Sequence, residues 1–120
     1  MLEIRHAGEF SRLHDTPRWI YLAGPMTGLP DFNYPEFNRV SNILRRNRHV
    51  VYSPAEFDDP KSFAEPAFVR RAFSNFCRHI TLQADALVVL PGWRASFGAV
   101  AEVALANALH THVFEWEDHG

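Results

Sequence analysis

Apolar residues cluster in blocks along the chain, and the spacing inside successive blocks alternates between strand-like and helix-like. Trp19–Ala23 is a compact apolar run that ends in Gly24-Pro25, a strand followed by a turn. A Gly- and Pro-punctuated loop covers 24–33. Over 34–47, Phe37, Val40 and Leu44 recur at helical spacing, and Pro35 suits the first helical turn. Residues 49–53 read as a second strand closed by Pro54, followed by a polar loop over 55–66 with Glu56, Asp58 and Asp59. The stripe Val69, Ala72, Phe73, Phe76 and Ile80 predicts a second helix over 67–83. The run ALVVL at 86–90 has strand length and no polar face, as in the middle of a parallel sheet. After a loop at 91–96, a third helix over Phe97–Ala108 and a closing strand at 112–116 complete the pattern.

Strict strand–helix alternation implies a parallel sheet with right-handed crossovers. The economical arrangement is a three-layer α/β/α fold of flavodoxin type, with strand order 2-1-3-4. Residues 1–18 are expected to form an arm, and 19–120 the domain. Ligands of such folds bind at the carboxyl ends of the strands that flank the topological switch point, here the first and third. The loops at 24–33 and 91–96 are therefore the expected site.

Composition narrows the picture. Of 120 residues, 47% are hydrophobic, enough for a core without disulfides or metal. The polar start of the chain lacks a signal-peptide core and no apolar run reaches membrane length, so a cytoplasmic protein is expected. The net charge of -2 argues against general nucleic-acid binding. Arg45, Arg46, Arg48, Arg70 and Arg71 fall at helical positions and read as solvated faces. Cys77 is the single cysteine, so no internal disulfide forms. Among 7 histidines, His110 and His112 share a strand side without a third ligand nearby, and no metal or cofactor is expected.

Two segments are candidates for chemistry. In IYLAGPMTG, Gly24 lets the backbone approach a ligand, Pro25 and Met26 follow it, and Tyr21 is an ordinary core residue. In PGWRASFGAVAE, Ser96 fits a helix N-cap, Gly98 leaves the helix start bare, and Arg94 supplies a cation. Glu102 sits among Ala99, Val100, Ala101, Val103 and Ala104, where a carboxylate has no obvious solvent face. Its place near a helix N-terminus favours the ionised form.

IYLAGPMTG, DFNYPEFN, VVYSPAEF and ADALVVLPGWRASFGAVAEVALANAL, in order over about 19–110, resemble the DUF4406 group. Those are small proteins often encoded by phages and prophages. They are similar to the superfamily of nucleoside 2-deoxyribosyltransferases and 2'-deoxynucleoside 5'-monophosphate N-hydrolases. The resemblance implies that Glu102 is the nucleophile and Tyr21 a catalytic partner near it, that Ser96 and Gly98 help hold a 5'-phosphate, and that Gly24, Pro25, Met26 and Arg94 bind the substrate. Where the family commonly carries an aspartate that helps with the sugar or departing base, this chain has Cys77.

Two functions follow as expectations. One is an N-glycosidase or deoxyribosyltransferase acting on a nucleoside or nucleoside 5'-monophosphate. There a carboxylate stabilises oxocarbenium charge or forms a glycosyl intermediate, and an acid such as Asp31, Glu56 or a partner's residue serves the leaving base. The other is a non-catalytic nucleotide-binding phage or prophage accessory protein. The resemblance also implies a homodimer or higher homo-oligomer that completes the pocket. The stripe Val69, Phe73, Phe76 and Ile80, with Phe68, is its expected interface or, equally, core.

Overall fold

The computed structural model describes residues 18–26, 28–57 and 66–116, the side chains at 67 and 68 excepted. Residues 1–17 of the expected arm, the acidic positions 58 and 59, and the side chain of Phe68 of the expected interface lie outside what is described. The elements are β1 (Trp19–Ala23), α1 (Tyr34–Arg46), β2 (Val50–Tyr52), α2 (Pro54–Phe57), α3 (Pro66–Leu82), β3 (Ala86–Val89), α4 (Phe97–Ala108) and β4 (His112–Glu115).

The four strands form one sheet in the order β2-β1-β3-β4. Every pairing is parallel, with Tyr21 opposite Tyr52 and Leu87, and Val88 opposite Leu22 and Phe114. β3 is internal and wholly buried, because a strand covered by helices on both faces has no solvent side for a polar residue. Right-handed crossovers place α1 on one face and α3 and α4, which pack on each other, on the opposite one. This is the flavodoxin-like three-layer architecture.

Local chemistry sets the boundaries. α1 buries Phe37, Val40, Ser41 and Leu44, the stripe its periodicity requires. It stops where Arg48 turns to positive φ and the Leu44 carbonyl accepts from both Asn47 and His49. One difference from the sequence reading lies after β2. Pro54–Phe57 forms a single helical turn rather than a loop. Pro54 suits its first position, and Glu56 is tied to Arg45 of α1 through two hydrogen bonds of 2.5 and 2.6 Å.

The α3 stripe divides between core and cavity. Ala72, Phe76 and Ile80 are buried against the sheet. Val69 and Phe73 instead border a cavity. Among the described residues no helix is long and apolar enough to cross a membrane.

Candidate functional site

The cavity, about 730 Å³, opens at the carboxyl ends of β1 and β3. That volume is of ligand-site size. In the 2-1-3-4 order the chain leaves these neighbouring strands toward opposite faces, so nothing fills the crevice between them. One wall is Gly24–Pro25–Met26, another the start of α4 at Ser96, Phe97 and Gly98, and a third Val69, Phe73 and Phe76 of α3.

Gly24 is needed for a reason other than the ligand. A Cβ there would lie 2.8 Å from the Leu90 Cβ, because the Leu90 amide donates to the Ala23 carbonyl and draws the two strand ends together. The loop beyond is held by Asn33, whose Nδ2 donates to the Pro25 carbonyl at 3.0 Å. Across the mouth, Gly92 turns the chain at φ 84°. Ser96 caps α4, its hydroxyl oxygen accepting from the Ala99 amide at 3.2 Å. A Cβ at Gly98 would meet only the Ser96 Oγ, at 4.0 Å, so the helix start carries no side chain toward the cavity there.

Glu102, one turn and a half further along α4, lines the cavity and is 6% exposed. The Tyr21 hydroxyl donates to its Oε2 at 2.5 Å. Burial pushes the Glu102 carboxyl up to about 7, while the Tyr21 hydrogen bond acts the other way by favouring the ionised form. Tyr21 is pushed well above its ordinary value by burial first and by the charge of Glu102 next. The Cys77 thiol is raised by burial and then by Glu102, which brings the residue at the family's aspartate position within the carboxylate's electrostatic reach.

Tyr21 stands beside Glu102, where the resemblance puts it; fully buried on the central strand, it meets the carboxylate from behind and does not line the cavity. Arg94 is also absent from the lining. Its guanidinium pairs with Glu115 at 2.8 Å and lies 4.5 Å from the Trp93 ring centroid. The β3–β4 pairing delivers Glu115 to this loop, so Arg94 secures the loop instead of facing a ligand. Glu56 is engaged by Arg45, and neither it nor Asp31 reaches the lining. Among the described residues Glu102 is the one ionisable side chain of the cavity. Gly24, Pro25, Met26, Ser96, Gly98 and Glu102 are brought together as expected. Sequence reading missed Phe37 and Pro54 as lining and took Val69 and Phe73 for core or interface. A 3.6-residue stripe looks the same whether it faces a core or a pocket.

Fold and site define a protein of the nucleoside 2-deoxyribosyltransferase-like superfamily. The structure is similar to that of a 2-deoxyribosyltransferase from the psychrotolerant bacterium Bacillus psychrosaccharolyticus. The match has a TM-score of 0.64 and 26% identity, covering 80% of this chain and 69% of that one. That enzyme is described as a biocatalyst for the synthesis of antiviral and antitumoral nucleosides. The family profile described as "Domain of unknown function (DUF4406)" matches residues 18–115, and the chain belongs to that family. No curated protein matches it.

Proposed function

We propose that the protein cleaves or exchanges the N-glycosidic bond of a nucleoside, with Glu102 as nucleophile. The observation that carries this reading is a buried carboxylate, held by the Tyr21 hydroxyl, at the cavity of the switch point. An ionised Glu102 oxygen attacks the anomeric carbon and the C–N bond breaks, its electron pair leaving with the base. The base takes up a proton, and water or a second base then displaces Glu102 from the sugar and gives up a proton in turn. The carboxylate also stabilises the positive charge that builds on the sugar. The likeness to a 2-deoxyribosyltransferase supports a deoxyribose-bearing substrate.

An uncharged nucleoside is favoured over a 5'-monophosphate. Among the described residues no Lys, Arg or His lines the cavity to neutralise a phosphate. The monophosphate reading retains the bare α4 start at Gly98 and the Ser96 O–H, which the Ala99 bond leaves free to donate. The decisive experiment incubates the protein with a 2'-deoxynucleoside plus a different free base, and separately with a 5'-monophosphate, and separates the products by chromatography. Base exchange or release from the nucleoside, lost in Glu102→Ala, supports the proposal. Release from the monophosphate alone reassigns the substrate. The second reading, a non-catalytic nucleotide-binding module, is favoured by Cys77 in place of the family aspartate. It prevails if nucleosides raise the melting temperature while no base is released.

A homodimer fits the same site. The exposed side of α4 carries Phe97, Ala101, Ala104 and Ala108, flanked by half-buried Val100 and Leu105, with no charge among them. Phe97, at the cavity mouth, is 96% exposed. Two antiparallel copies of α4 crossing midway between 102 and 103 set Phe97 against Ala108, Val100 against Leu105 and Ala101 against Ala104. Phe97 then meets a small side chain at each end, and the uncharged stripe is self-complementary, as a two-fold interface requires.

A further inference from the structure

Behind the Tyr21–Glu102 pair stands a ring stack that the glycosyl chemistry does not itself use. Tyr21 and Tyr52 are register partners on β1 and β2, so their side chains leave the sheet on one face. Their rings stack at 5.5 Å and 11°. His79 of α3 stacks on Tyr52 at 4.0 Å, and Trp19 lies beyond, 6.0 Å from His79 and 8° from parallel with it. Phe76 meets Tyr21 and Tyr52 edge-on, each at 6.3 Å. Asn75 Nδ2 donates to the Tyr52 hydroxyl at 3.4 Å. The Tyr21 ring is thus confined by Tyr52 and Phe76, and its hydroxyl has one direction left, toward Glu102.

We propose that Tyr52 is a positioning residue for Glu102, acting through Tyr21: the His79–Tyr52–Tyr21 stack fixes where the Tyr21 hydroxyl points. A tyrosine hydroxyl donates well only near the line of the carboxylate lone pair. A ring free to tilt gives a longer, weaker bond, and the charged form of Glu102 loses support. Among the described residues, the ionisable groups that face Glu102 are Tyr21 on β1 and Cys77 on α3; Tyr52 faces Tyr21 in turn. Adjacent strands supply the two tyrosines, so the arrangement is set by sheet register rather than by a mobile loop.

The inference rests on Glu102 being the reacting group, but its test needs no turnover. The protein is labelled with carbon-13 at glutamate carboxyls, and the Glu102 signal, assigned by Glu102→Gln, is followed by NMR against pH. Tyr21→Phe should raise the midpoint above that of the wild type. Tyr52→Leu should raise it in the same direction by a smaller amount, while Tyr52→Phe, which keeps the ring, should leave it in place. A midpoint in Tyr52→Leu equal to that of the wild type, in a protein that is merely less stable, overturns the proposal. So does an equal rise in Tyr52→Phe, which would assign the effect to the hydroxyl and Asn75. If Tyr52→Leu does not fold, His79→Ala decides. An upward shift supports the stack, and an unchanged midpoint overturns it. Absence of base release in the wild type would count against the proposed function and leave this result intact.

Discussion

The Tyr21 hydroxyl and Glu102 Oε2 lie 2.5 Å apart, joining the first strand to the last helix across 81 positions of sequence. The phenol sits where water cannot compete, and its proton offsets part of the cost of burying a carboxylate. The carboxyl is nonetheless pushed up to about 7 because burial outweighs that one bond.

A pH dependence of stability follows. The folded carboxyl titrates near 7 against an ordinary 4.5, so the folded state holds a proton that the unfolded chain has released. The contribution is fully present below pH 4.5 and is lost as pH rises through about 7. The loss is on the order of 3 kcal/mol. Glu102→Gln, which stays neutral, should flatten the curve between those limits. Urea unfolding at a series of pH values measures this, and parallel wild-type and mutant curves would contradict it.

Removing the Tyr21 hydroxyl isolates the donor. Tyr21→Phe should cost about 1–3 kcal/mol at alkaline pH, where Glu102 is ionised, and less at pH 5. In an active protein the acid limb of the rate profile, which requires ionised Glu102, should move to higher pH. Chemical denaturation at two pH values, with base-exchange rates alongside, provides the check.

Gly24→Ala should destabilise by about 1–3 kcal/mol, since the new methyl meets the Leu90 Cβ at 2.8 Å. The Cβ of Leu90 cannot rotate away, so Leu90→Ala should not relieve the clash, whereas Leu90→Gly should relieve part of it. Thermal melts of the single and double variants test the coupling.

Arg94 and Ser96 should act on structure and little on nucleoside binding. Arg94→Ala removes a largely exposed ion pair, for a loss of at most about 1 kcal/mol. Ser96→Ala removes a helix cap, for about 1 kcal/mol. Calorimetric titration should give nucleoside affinities within about twofold of wild type, a change of under about half a kcal/mol. A tenfold loss in Ser96→Ala confined to the 5'-monophosphate would instead return a phosphate to the site.

Assembly is tested at the centre of the α4 stripe. Ala104→Glu buries a charge in the proposed two-fold contact and should convert a dimer into a 13.8 kDa monomer by sedimentation. The same substitution made on an exposed face without a partner changes no mass.

How much of this was legible beforehand depended on range. Alternating periodicity, the β1–Gly24 turn and the all-apolar ALVVL run are local signals, and they determined the elements apart from the short α2, the parallel sheet, its order and hence the two loops of the site. Glu102 stood out for a local reason as well, being a charge in an apolar helix. The partners of these residues were another matter. That Arg94 turns to Glu115, that Tyr21 meets Glu102 from behind rather than lining the cavity, and that Val69 and Phe73 wall a pocket all depend on contacts between distant segments. A helical stripe records only that one side is apolar. Whether that side meets a sheet, a second subunit or an opening between two strand ends is decided when the crossovers set the layers, and only the folded chain holds that information.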